Sequence, residues 1–223
     1  MLSGGSDVVV ATHDSNDRSG TQFLVVADDP GTAQALARVC ERYGTCTIRE
    51  SPADALHVLA EPQSIAGVIV ESELRAGSGM HVAIYARQKL NLPTLLLSEH
   101  NTHQTVHQAY QIGARYLCKP VEPPELEMFV SAAAAQARQV DDTQRTAVAA
   151  LTARAALTPR ETQVVQLALN DVLRSSMAGT MGITESTLKF HIRSVLDKCE
   201  AKNLSELVRS ILVRVGRTRP TQP

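Results

Sequence analysis

The chain of 223 residues is long enough for one large domain or two small ones, and 43% hydrophobic with 20% charged residues describes a globular protein. No apolar run approaches the roughly 18 residues needed to cross a bilayer, and Met1–Gly20 lacks the order of a secretory leader, so a cytoplasmic chain with no membrane partner is expected. The net charge of −1 hides an asymmetry: residues 151–223 carry 11 Lys and Arg against 6 Asp and Glu, or +5, which leaves −6 for residues 1–150 and points the basic half at nucleic acid.

Residues 1–20, rich in Ser, Gly and Asp, read as a flexible arm, although Val8-Val9-Val10 has packing potential. A β/α rhythm follows. Phe23-Leu24-Val25-Val26 suits a buried parallel strand, Gly31 to Tyr43 a helix and Thr45–Arg49 a second strand. Ser51-Pro52-Ala53-Asp54 opens the second helix, with Ser51 as N-cap and Pro52 at the first helical position. Ala66–Val70 is the third strand, Met80–Leu90 the third helix, Thr94–Leu97 the fourth strand, Thr102–Ile112 the fourth helix and Arg115–Cys118 the fifth strand. Such an alternation predicts a doubly wound, five-stranded parallel α/β sheet over residues 21–122, with its site beyond the carboxyl ends of the strands. Those ends carry Asp28, Asp29, Glu71, Ser98 and Lys119-Pro120, a set suited to Mg²⁺ or a phosphoryl group.

This order and spacing resembles the receiver domain of two-component response regulators, over about residues 21–135. The resemblance implies a flavodoxin-like receiver in which Glu71 occupies the phosphoacceptor position, Ser98 the switch hydroxyl, Tyr116 the switch aromatic and Lys119 the lysine before a proline that is often cis. The family's acceptor is Asp, and Ala27 stands where its first acidic residue belongs, leaving Asp28 as the candidate Mg²⁺ ligand. Arg75 replaces a customary proline. A carboxylate one methylene too long and a depleted ligand set both weaken phosphoryl chemistry, since misplacement by about 1 Å costs on the order of 10²-fold. A longer Glu71 can instead reach toward Ser98 and Lys119 as a standing charge-assisted pair. Two readings stand: Glu71 mimics the activated state, or the site is an inert scaffold.

Other candidates read as structural. Cys40, Cys46, Cys118 and Cys199 have no metal or redox spacing, and His100, His103 and His107 lack a partner at matching spacing to complete a zinc site. No cofactor, metal site or enzymatic nucleophile–base pair is expected.

From Pro123 to about residue 154 the chain reads as a last receiver helix and helical linker. Leu126, Val130, Ala133, Ala137, Val140, Gln144, Ala147 and Leu151 recur at spacings of four and three, a coiled-coil seam that suggests a homodimer. The alternative is a single helix packed on its own receiver and ending near Asp141.

Residues 155–216 then read as a small all-α four-helix domain, with residues 217–223 as a tail. Thr158-Pro159-Arg160-Glu161 is a capped helix start, a second helix covers Leu173–Met181, and Gly182-Ile183 turns into a third capped by Thr184 that runs to Cys199. Leu157-Thr158-Pro159-Arg160-Glu161, Gly182-Ile183-Thr184 and Thr187-Leu188-Lys189-Phe190-His191 resemble the LuxR-type helix-turn-helix. That resemblance implies that Thr184, Glu185, Ser186, Lys189 and Arg193 face base edges or phosphates, that Thr187, His191 and Lys198 touch the backbone, and that the last helix, with Leu207 and Ile211, forms a dimer. Asp171, Arg174-Ser175 and Cys199-Glu200 depart from the family pattern, and Arg217 and Arg219 offer further phosphate contacts. The implied partners are double-stranded DNA with a palindromic promoter site, a second copy of the chain and RNA polymerase; with the acceptor changed, a histidine kinase is a doubtful one. The competing reading is a pseudo-receiver that binds a protein or small ligand, with DNA binding secondary or lost.

Overall fold

The computed structural model describes residues 21–61, 65–170 and 172–214, with the Arg214 side chain left out. The expectations placed on residues 1–20, Asp171, Arg217, Arg219 and the rest of the tail lie outside the described residues. The chain divides between Arg138 and Gln139 into two compact units.

In the first unit β1 (Gln22–Val26), α1 (Pro30–Cys40), β2 (Thr45–Arg49), α2 (Pro52–Ala60) and β3 (Ile65–Glu71) are followed by a short hairpin, β4 (Glu73–Leu74) with β5 (Gly77–Ser78). Then come α3 (Met80–Ile84), β6 (Thr94–Ser98), α4 (His103–Ile112), β7 (Arg115–Cys118) and α5 (Pro123–Arg154). The five long strands pair in parallel in the order β2-β1-β3-β6-β7. The order reverses between β1 and β3, which opens a crevice at their carboxyl ends. Strand periodicity sorts the core: Phe23 and Val25 face one side with Leu36, Phe129 and Val130, while Leu24 and Val26 face the other with Val58, Val82 and Ala109.

Two helix boundaries differ from expectation. α1 stops at Cys40, where the amides of Tyr43 and Gly44 turn back to the Cys40 carbonyl (2.9 and 3.0 Å); a Cβ on Gly44 would lie 2.1 Å from the Thr21 carbonyl oxygen. α3 gives way to a π-helical turn over Tyr85–Lys89. There Leu90 N donates to Tyr85 O at 3.3 Å, and the Arg87 guanidinium donates to Leu92 O at 3.1 Å.

The coiled-coil seam is corrected by burial. Leu126, Val130 and Ala133 are buried against the sheet with Phe23 and Ile69, and Ala137 packs partly on the same cluster. At the other end of α5, Val148 and Leu151 are buried in the core of the second unit. The apolar stripe therefore serves two cores in succession, and only Val140 and Gln144 in its middle, both half-buried, belong to neither. The three-and-four spacing is common to both arrangements, because any helix laid on a core repeats this way.

The second unit packs α6 (Pro159–Leu169), α7 (Arg174–Met181), α8 (Glu185–Cys199) and α9 (Leu204–Arg214) around Val164, Val165, Met177, Leu188, Ile192 and Val195. Leu207 and Ile211 are 3% and 4% exposed in this same core. They hold α9 to its own domain, so the dimer-forming role expected of them is corrected.

Candidate functional site

The crevice at the ends of β1 and β3 is lined by Asp28, Glu71, Glu73, Arg75, Glu99 and Lys119. Glu71 ends β3, the inner strand between β1 and β6, and is only 3% exposed. Its position depends on Gly79, where a Cβ would sit 1.9 Å from the Glu71 carbonyl oxygen. Lys119 enters from β7 beside the cis Lys119–Pro120 bond, and its Nζ lies 2.5 Å from Glu71 Oε1 and 3.6 Å from Glu99 Oε1. The Glu71 contact is close but off-axis, so Oε1 has no well-directed hydrogen bond. Burial works against the Lys119 charge, yet Glu71 and then Glu99 outweigh it and hold the ammonium pKa above its ordinary value.

The remaining rim residues are also engaged from within the chain. Asp28 accepts from the Arg75 backbone amide and lies 3.9 Å from the Arg75 guanidinium. Asp29 caps α1, accepting from Thr32 N at 2.7 Å and from the Thr32 hydroxyl at 2.8 Å, and the amide bond in particular holds its carboxyl below the usual range. Ser98, 2% exposed, donates to His100 O at 3.0 Å and accepts from His100 N at 3.3 Å. Its hydroxyl is thus taken up by the following loop, which corrects the expected contact with Glu71. Tyr116 packs partly into the core and donates to the same His100 carbonyl at 3.1 Å; burial raises its phenol pKa. The role of Arg75 was visible in the sequence only as an unusual residue, since the hairpin that turns it onto Asp28 is a tertiary feature.

His103 and His107 stack with ring centroids 5.9 Å apart, and His107 contacts Gln111 at 3.0 Å. Among the described residues no group of three His, Cys, Asp or Glu side chains is arranged to hold a metal ion.

In the second unit α7, the left-handed turn at Gly182 (φ 63°) and α8 form a helix-turn-helix. Thr184 caps α8, accepting from Thr187 N at 3.2 Å, and its hydroxyl also contacts those of Ser186 (2.9 Å) and Thr187 (2.8 Å). Glu185, Ser186, Thr187, Lys189 and Arg193 are exposed, His191 is half-buried, and Leu188, Ile192 and Val195 form the inner face. Among the described residues neither Lys189 nor Arg193 has an ion-pair partner, so both charges are available to a polyanion.

Lys198 differs from its expected role. Its Nζ contacts Glu161 Oε2 at 2.7 Å and Ala156 O at 3.2 Å. Glu161, 4% exposed, completes the capping box on Thr158 N (2.7 Å) and accepts from the Ser194 hydroxyl at 2.7 Å. Burial works to raise the Glu161 pKa, but the bonds from Lys198, Thr158 and Ser194 prevail and hold it at about 2. Lys198 therefore tethers α8 to α6 inside the domain, which corrects the expected phosphate contact. The sequence showed Glu161 only as a capping residue, because its long-range partners lie 33 and 37 positions away.

A crevice at a topological switch point, ringed by carboxylates and a lysine, together with a separately folded helix-turn-helix, defines a receiver coupled to a DNA-binding output domain. Residues 23–131 match the family model of the response regulator receiver domain, and residues 155–211 that of bacterial regulatory proteins of the luxR family. The chain is a DNA-binding response regulator with a receiver and a LuxR-type helix-turn-helix. It is 25% identical over 204 residues to nodulation protein W of Bradyrhizobium diazoefficiens, spanning 89% of this chain and 90% of that one. It is also 25% identical over 195 residues to the transcriptional regulatory protein FixJ of Azorhizobium caulinodans, spanning 85% and 90%. The crystal structure of full-length FixJ from B. japonicum is similar at 25% identity, covering 89% of this chain and 98% of that one with a TM-score of 0.47. Among the described residues no helix is long and apolar enough to cross a membrane.

Proposed function

We propose that this regulator binds its promoter as a homodimer without aspartyl phosphorylation, with Glu71 standing permanently in the acceptor position. The observation that carries this reading is the buried Glu71 carboxylate held 2.5 Å from Lys119 Nζ. A phosphoryl group would need that lysine and a hard divalent cation; here the lysine is already paired, and the Arg75 amide and guanidinium occupy Asp28. Ser98 and Tyr116 converge on one carbonyl, that of His100, so the switch hydroxyl and the switch aromatic are tied to the same loop. Glu71 thereby holds the receiver in one state, and the output domain reads a palindromic site from which RNA polymerase is contacted.

Selection from a random duplex pool with untreated full-length protein tests the proposal. The expected result is a palindrome with half-sites about 10 bp apart, bound with a log K slope of about −0.9 per neutralised phosphate against log salt. A small acyl-phosphate donor should leave that affinity unchanged, and Glu71→Gln, of equal size and no charge, should weaken it. Site recovery only after donor treatment, with a phosphoryl mass gain on the chain, would overturn it.

A further inference from the structure

α8 presents one feature that backbone recognition leaves unused. With about 100° per residue, its core side is set by Leu188, Ile192 and Val195, and Phe190 and, two turns later, Asp197 point almost directly away from that side. Phe190 is 69% exposed, whereas Leu188 is 3% and Val195 0% exposed. Ser186 lies one turn before it and Arg193 one turn after, with Lys189 beside it and Asp197 two turns on, so an aromatic ring sits among a hydroxyl and two cations, with the face's carboxylate at the far end of the helix. The His191 ring meets it edge-on, with centroids 5.8 Å apart and planes at 67°, which restricts the directions the phenyl can take.

Single exposed apolar side chains are ordinary on protein surfaces. The location of this one is what carries meaning. A helix that offers Lys189 and Arg193 to a polyanion brings Phe190 to the floor of the groove rather than to the phosphates on its rims, because Phe190 lies between those cations and points away from the helix's own core. The floor of the major groove has one apolar group, the C5-methyl of thymine; every other base edge there presents a hydrogen-bond donor or acceptor that a phenyl ring would leave unsatisfied.

We infer that Phe190 is a specificity-determining residue that selects thymine by packing its ring on the C5-methyl group, once in each half-site. The inference rests on the DNA-binding reading above and adds to it a base and a chemical group. Burying one methyl against the ring corresponds to roughly fourfold in affinity per thymine, and a two-fold site carries the effect twice.

The test uses the full-length protein and its selected duplex, with each thymine replaced in turn by deoxyuridine, which removes only the methyl. The wild-type chain should lose roughly fourfold at one position per half-site. Phe190→Ala should bind thymine and deoxyuridine equally at that position while keeping the wild-type salt slope. The inference is overturned if Phe190→Ala retains the wild-type thymine preference, or if the wild-type chain is indifferent to every deoxyuridine replacement; DNA binding itself stands in both cases. A chain that selects no duplex at all overturns this inference and the DNA-binding reading together.

Discussion

Replacing Lys198 by Met removes the ammonium and keeps an apolar stem of similar reach, so it isolates the charge that Glu161 receives. The Glu161 carboxyl is held at about 2 against a reference of 4.5, which at about 1.4 kcal/mol per pH unit is worth at most about 3.5 kcal/mol. Lys198 is 34% exposed at its side chain, and solvent screening lowers its share of this to about 2 kcal/mol. Because the folded pKa lies below the unfolded one, the stabilisation is fully present above pH 4.5 and is lost as pH falls toward about 2. Urea unfolding of the full-length protein at a series of pH values, followed by circular dichroism, should show the transition of the helix-turn-helix unit lowered by about 2 kcal/mol in Lys198→Met at neutral pH. The variant should also depend less on pH between 4.5 and 2 than the wild type does. Its salt slope on DNA should be unchanged, since the ammonium is engaged within the domain. Unchanged stability together with a slope smaller by about 0.9 would refute the reasoning and return Lys198 to a phosphate.

Two further substitutions test the packing of α5 and the end of α8. Leu126→Ala should destabilise the receiver by about 2–5 kcal/mol in denaturant unfolding, because the side chain is 5% exposed in the core; a residue on a free helical seam would change stability by about 0.5 kcal/mol or less. Glu200→Gly should stabilise the output domain by about 1 kcal/mol in thermal melts, since Glu200 ends α8 with a left-handed φ of 53° that a Cβ opposes and glycine does not.

The α/β alternation was legible because each buried strand is an uninterrupted apolar run and several helices carry their own caps: Ser51, Thr102, Thr158 and Thr184 all bond the amide three residues on. The rim residues were legible for the same local reason, since the end of a parallel strand in such a sheet is a place for ligands and Asp28, Glu71, Ser98 and Lys119 stand at or just beyond strand ends. Of the partnerships, the pairing of Glu71 with Lys119 was legible, because both stand at strand ends on one rim, and the others were not. Whether Lys198 meets a phosphate or Glu161, whether Ser98 meets Glu71 or His100, and whether Arg75 closes onto Asp28 depend on groups 2 to 47 positions away, brought together only when the sheet and helices pack.

The stripe of α5 shows the same division. Its spacing of three and four determined, from the sequence alone, that one face of the helix is apolar and must be covered. Which surface covers it was decided by tertiary structure: Leu126, Val130 and Ala133 meet the receiver core, and Val148 and Leu151 meet the output core. Helical periodicity encodes the need for burial, and it is the same whether the cover is a sheet, a neighbouring helix or a second chain; only the folded arrangement of the rest of the molecule selects among them.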